Sequence, residues 1–199
     1  MTSFPNVVDQ RILDPSRIGL VNEVAEGIGA TVVHSAQGGL IHSKFILTDD
    51  TVLISGAAAA SSQAGGIKLF DFPLGKLIPQ AARIAGRLNL SDAAMTTTAG
   101  EIGLGTVVAS GAASNISGSG GVFEDILQGG VPGLTNFTAG ATIEVKTYDD
   151  NRSHVPSSAS DMSAQLHLNA AAAFASGTTT NLVALAGTEI DVWWIHLEP

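Results

Sequence analysis

Apolar and polar side chains alternate along several short segments of this chain, and turn-forming residues such as Gly, Pro, Ser, Thr and Asp separate the segments. Ile41–Thr48 shows the pattern. On an extended backbone, Ile41, Phe45 and Leu47 fall on one side, while His42, Lys44 and Thr48 fall on the other. A helix would instead repeat its apolar residues every three or four positions. The chain is therefore predicted to consist mainly of short β-strands joined by turns.

The same pattern places the strands along the chain. Asp49 and Asp50 end the first strand, and Thr51–Ser55 is predicted to return beside it as the second arm of a hairpin. Ala164–Phe174 is also compatible with an Ala-rich helix, but it contains two leucines at a spacing of two, which favours a strand. The other predicted strands are Ile67–Phe72, which ends in a turn at Pro73, then Arg83–Leu90, Thr106–Ala112, Thr142–Tyr148 and Thr188–Leu197.

The last predicted strand is apolar on both sides. Its two tryptophans, Trp193 and Trp194, are neighbours and so face opposite ways, which prevents them from forming one platform for a sugar ring. A strand of this kind either lies between two layers or meets another subunit. The two sets of side chains are Val192, Trp194 and His196 on one face, and Trp193, Ile195 and Leu197 on the other.

Several short strands with few helices predict an all-β protein, an antiparallel β-sandwich of jelly-roll-like type. At most one or two short helices are expected, one of them at Val122–Gln128. We expect two parts: an N-terminal arm or short helical segment at 1–40, and a β-sandwich domain at 41–199. Apolar residues recur at helical spacing between Ile18 and Ile28, although interspersed glycines disfavour a helix there.

The charge composition limits the classes of partner. Only 14% of residues are charged, while 45% are hydrophobic, and small neutral residues replace the missing charge. Such a surface suits burial against other chains. The net charge is −9, and no Lys or Arg occurs between Arg87 and Lys146 or after Arg152. We therefore expect neither a nucleic-acid partner nor a membrane partner.

The sequence also lacks features of secretion and of disulfide chemistry. It contains no cysteine, so stability must come from packing and association. The first residues, Met1–Pro5, show neither the basic nor the apolar region of a secretory signal. Synthesis in a cytoplasm is the resulting expectation.

No motif predicts catalysis, a cofactor or a metal. Neither a nucleophile elbow nor a nucleotide-binding glycine loop is present, and the histidines lack ligand spacing. Three carboxylate pairs occur, but those at Asp49-Asp50 and Asp149-Asp150 are interpreted as solvated turns, with calcium binding at Asp149–Asn151 a minor alternative. Of the five histidines, His42 and His167 are expected on solvent faces and His196 in a packed position.

Three consecutive segments carry a family resemblance. They are the apolar strand and D-F-P-x-G turn within Gly66–Ile78, the strand Arg83–Leu90, and the G-x-G-T loop within Gly100–Thr106. In this order they resemble head decoration (cement) proteins of tailed bacteriophages, and Phe123–Leu127 and the closing strands are similar as well. The resemblance covers roughly residues 41–197. It departs at Leu74, where the family often carries an acidic residue.

The resemblance implies a small β protein without catalytic activity that binds the outside of an assembled phage capsid. It implies a virion location, the major capsid protein as partner, and a homo-oligomer, with a trimer favoured over a dimer. A tail or fibre module that binds a host-surface glycan is the alternative, and a hydrolase with carboxylates from separate loops is a third. The residues predicted to contact a partner are Phe4, Arg11, Ile12, Arg17 and Ile18 in the arm, and Trp193 in the last strand.

Overall fold

The computed structural model describes residues 28–37, 39–57, 62–73, 76–91, 100–113, 115–116, 123–127, 140, 142–149, 165–174 and 180–197. Within these ranges every regular element is a β-strand and no helix occurs. The strands are β1 Ala30–Gln37, β2 Leu40–Leu47, β3 Thr51–Ala57, β4 Ser62–Asp71, β5 Lys76–Leu90, β6 Glu101–Gly105, β7 Thr142–Asp149, β8 Gln165–Ala173, β9 Thr180–Ala184 and β10 Glu189–Leu197.

Seven strands form the larger sheet, in the order β1-β2-β10-β5-β9-β3, with β7 added beside β5. Its centre is β5, a strand of 15 residues. Residues 82–85 of β5 pair with β10 and also with β7, so these two strands lie on opposite edges of β5. All pairings in the sheet are antiparallel.

Three strands form the smaller sheet, in the order β4-β8-β6, and it packs against the larger one. Side chains from both sheets, such as Phe45 of β2 and Leu168 of β8, are fully buried in one shared core. Trp194 of β10 reaches across this core, with its ring 4.9 Å from the ring of Phe72 beyond the end of β4. The predicted antiparallel β-sandwich is confirmed, while a jelly-roll arrangement of its strands stays a prediction.

The alternating pattern located most strands, but two predictions about neighbouring segments are wrong. The strand after Asp49 and Asp50 does not form a hairpin with β2, because β2 already has β1 on one edge and β10 on the other. Instead, β3 pairs with β9. Thr106–Ala112 is not a strand either, because the strand in this region is β6, which precedes it. Two strands, β1 and β9, were not predicted at all.

The helix predicted at Val122–Gln128 is absent from its described part, Phe123–Leu127. The backbone N–H groups of Ile126 and Leu127 donate to the carbonyl oxygen of Leu104 in β6, at 3.0 Å each. The buried carboxylate of Asp125 accepts from the N–H and the hydroxyl of Thr106, at 2.7 and 2.6 Å. The N–H groups of Ile126 and Leu127 are thus satisfied by β6 and not within a helix, and the segment forms a turn and bends.

Residues 106–113, which follow β6, cover the side of the smaller sheet that faces away from the larger sheet. Asn169 of β8, fully buried, holds them in place: its side-chain oxygen accepts from the N–H of Ala109, and its amide donates to the carbonyl oxygens of Val107 and Phe123. Gly66 of β4 lies beside Asn169, and a Cβ at that position would overlap the asparagine oxygen. A third layer therefore shields β8 from solvent.

His167 lies under the same cover, which makes its predicted solvent-facing position wrong. It is only 3% exposed, and its Nδ1 has no hydrogen-bond partner among the described residues. Desolvation by burial lowers the pKa of His167, and the nearby charge of Lys68 lowers it further. The imidazole is therefore harder to protonate in the folded chain than in the unfolded chain.

We predict that His167 makes the fold less stable in mild acid. Because its folded pKa lies below the ordinary value of 6.5, the unfolded chain binds the proton more readily. The stability due to neutral His167 is present above that value and is lost as pH falls through the folded pKa. Urea unfolding at about pH 7.5 and about pH 5.5 should show a smaller acid-induced loss for His167→Gln than for the unsubstituted chain. Equal losses in the two proteins would contradict the prediction.

Candidate interaction face on the seven-stranded sheet

The larger sheet has one side on the core and one side turned away from it. We call the second side, where strands β1, β2, β10 and β5 lie next to each other, the outer face. Alternation along the strands creates it, since Ile190, Val192 and Trp194 enter the core and the residues between them do not. The outer face consists of Thr31, Val33, Ser35 and Gln37 of β1, Leu40, His42, Lys44 and Ile46 of β2, Glu189, Asp191, Trp193 and Ile195 of β10, and Ile78, Ala81, Arg83 and Ala85 of β5.

One end of the outer face is apolar. Ile195 pairs with Leu40 on one side and with Ile78 on the other, which gives a row of three aliphatic side chains across three strands. Leu40 is 38% exposed. In the next row, the ring of Trp193 stacks on the ring of His42, with centroids 4.6 Å apart and planes 6° from parallel. The aromatic pair therefore extends the apolar row toward the centre of the face.

Asp191 organises the polar part of the face. Its carboxylate accepts from Nε and Nη2 of Arg83, at 2.9 and 2.6 Å, and lies 2.8 Å from Nε2 of His42. The Asp191 side chain is only 4% exposed, so this anion is covered by its own partners. The hydrogen bond to Asp191 raises the pKa of Arg83, which keeps the guanidinium charged despite its partial burial.

A second carboxylate completes the network. Glu189 lies 3.0 Å from Nζ of Lys44 and 3.0 Å from Nη2 of Arg83. Two cations thus face two anions, and the charges on the outer face compensate each other. In a chain with a net charge of −9, this surface carries no net charge when His42 is neutral. Such a surface can approach another protein without strong attraction or repulsion of either sign.

The structure locates only part of the predicted partner site. Trp193 lies at the centre of the outer face, half-buried between the apolar row and the charge network. The five predicted arm residues lie outside the described residues: Phe4, Arg11, Ile12, Arg17 and Ile18. Two neighbours of Trp193, His42 and Arg83, were missed because they come from strands far away in sequence: His42 lies 149 positions before Asp191, which shares a strand with Trp193. No local motif signals such a cross-strand cluster.

Elsewhere in the described residues, few polar side chains are grouped in a way that suits metal or ligand binding. No group of three or more His, Cys, Asp or Glu in these ranges is placed to hold a metal ion. A pocket of about 400 Å³ is lined by small or neutral residues, Ser62–Ala64, Gly111 and Ala112. In the exposed turn after β2, the Asp50 side chain accepts from the N–H of Ala186 at 2.8 Å. No helix capable of crossing a membrane is found in the described segments.

Comparisons with known proteins add no relative: no family model, no curated protein and no solved structure matches the chain. A function for this chain must therefore be inferred from its sequence and from the outer face.

Proposed function

We propose that this chain is a structural virion protein that binds the outer surface of a tailed-phage capsid and stabilises it by bridging subunits of the major capsid protein. It acts without catalysis or cofactor and, after synthesis in the host cytoplasm, resides on the capsid exterior. The family resemblance of Gly66–Ile78 and the segments that follow supports this assignment. The composition of the outer face is compatible with this proposed role.

The outer face is the observation that carries the proposal. It combines an aromatic anchor, Trp193, with an aliphatic row and a compensated charge network, as in protein interfaces where a few aromatic residues dominate the binding energy. Asp191 already fixes Arg83 and His42 in one geometry. Less side-chain entropy is therefore lost when a partner covers these residues than when flexible side chains must become ordered.

Weak contacts are sufficient for stable attachment to a capsid. Each bound copy needs only moderate affinity, because the same contact is repeated over the whole shell and effective concentration strengthens any linked contacts. Low total charge fits a surface that neighbouring chains cover, since charged side chains are depleted in the centres of interfaces. In this proposal the five N-terminal residues predicted to contact a partner provide an additional clamp: Phe4, Arg11, Ile12, Arg17 and Ile18.

We predict that Trp193→Ala weakens capsid binding at least about tenfold, because buried interface tryptophans typically contribute more than 1.4 kcal/mol. The assay is co-sedimentation of the purified chain with capsids assembled from the major capsid protein of the phage that encodes it. Val108→Ala is the matched control, because Val108 is equally a surface residue, 41% exposed, but lies in the segment that covers the smaller sheet.

Two results would contradict the proposal: no co-sedimentation of the unsubstituted chain, or equal binding by Trp193→Ala and the unsubstituted chain. Glycan binding on an array, without capsid binding, would favour the tail or fibre alternative. One ring face of Trp193 is already covered by His42, so a sugar would have to stack on the other.

A further inference from the structure

Within the described part of the chain, the edge of the larger sheet at β1 lacks the usual protection against strand pairing. Among the described residues, β1 pairs only with β2, through eight consecutive residue pairs without a register shift. Its sequence, ATVVHSAQ, contains no charged residue and no proline. Natural sheets normally protect such edges with charges, prolines, bulges or very short strands, because an open edge can pair with another chain.

Each of the other described edge strands, β3, β7, β4 and β6, carries at least one of these protective features. β3 has two register shifts along its pairing with β9. β4 contains Lys68 and Asp71 together with a register shift, and β7 contains Glu144. β6 has only five residues, and Leu104 within it bridges to Leu127. The unprotected condition of β1 is therefore specific to that edge, within the part of the chain that the structure describes.

The chemistry of β1 fits a second copy of the same strand. Antiparallel pairing of a strand with itself around a two-fold axis requires no second type of surface. Two chains that each carry a net charge of −9 repel each other, but an uncharged strand brings no like charges directly opposite. Val33, in the middle of β1, is 63% exposed, the highest value among the exposed large hydrophobic residues of the described chain. Pairing would cover the flank of Val33 that faces the second strand.

We infer that β1 pairs antiparallel with β1 of a second copy, so that the two larger sheets become one continuous sheet across a dimer. The two-fold axis passes between the two Val33 residues, so each Val33 lies opposite its counterpart and Thr31 of one copy lies opposite Ser35 of the other. This arrangement keeps the outer faces of both copies on the same side. Because the contact uses the β1 edge of both copies, it closes at two subunits, not at the trimer expected from the family resemblance.

The test uses the full chain and requires no capsid, so its result is independent of the proposed function. Analytical ultracentrifugation should show a concentration-dependent dimer. Val33→Lys and Val33→Glu should each raise the dimer dissociation constant at least about tenfold, because like charges would then lie opposite each other. An equimolar mixture of the two variants should restore the dimer by pairing Lys with Glu. Val52→Lys, at a residue 43% exposed on the bulged strand β3, is the matched control and should dimerise normally.

Circular dichroism and urea midpoints of the variants establish that they remain folded. A full chain that stays monomeric or forms trimers would overturn the inference. So would dimers that tolerate Val33→Lys and Val33→Glu. Failure of the mixed variants to associate would overturn the pairing centred on Val33.

Discussion

Trp194→Ala is expected to lower the free energy of unfolding by about 3–5 kcal/mol, the usual cost of removing a large aromatic side chain from a core. Trp194 is fully buried between the two sheets, and its ring packs against Phe72. Its indole N–H donates to the hydroxyl of Ser43 at 2.9 Å, and Ser43 is itself buried. The substitution therefore creates a cavity and also removes a hydrogen bond in the core.

Urea unfolding followed by circular dichroism measures this loss, with Trp193→Ala as the matched control. Trp193 is the adjacent residue and has the same side chain, but it lies on the outer face and is only half-buried. We expect its truncation to cost about 1 kcal/mol, as for partly exposed positions. Similar losses for the two variants would contradict the orientation of β10 in the sandwich.

Asn169→Ala is expected to lower the free energy of unfolding by about 3 kcal/mol, because buried groups that lose their partners cost about 1–3 kcal/mol each. The substitution removes the acceptor for the N–H of Ala109 and the donor to the carbonyl oxygens of Val107 and Phe123. The segment that covers the smaller sheet should then open more readily.

Two measurements check the Asn169 prediction: urea unfolding, and amide hydrogen exchange at Ala109, which should become faster. Asn89→Ala is the control, because the Asn89 amide donates to Thr142 near the surface at 3.3 Å and should matter less. Unchanged exchange at Ala109 together with unchanged stability would mean that Asn169 does not hold the covering segment.

The strands could be predicted from the sequence where their pattern is local. Alternation placed β2, β8 and β10 within one or two residues, and it placed Trp193 and Trp194 on opposite faces. Strand pairing could not be predicted in this way, because it depends on residues far apart in the chain. The hairpin expected between β2 and β3 fails for this reason, since β10 occupies the edge that β3 would need.

The same limitation applies to burial and to the candidate site. His167 alternates with Leu166 and Leu168 as a solvent-facing residue would, but a segment from elsewhere in the chain covers it. Trp193 could be proposed as a contact residue from its type and strand position. Its neighbours on the outer face, His42, Asp191 and Arg83, come together only through the register of three strands.

The most direct test of the central claim is to measure whether a capsid covers the outer face. The chain has no cysteine, so a single introduced thiol reports on one position. Leu40→Cys places the thiol on the outer face, and Val107→Cys places it on the opposite side of the sandwich. We predict that capsid binding slows maleimide labelling at position 40 and leaves labelling at position 107 unchanged. Protection at position 107 alone, or at neither position in a bound chain, would contradict the claim.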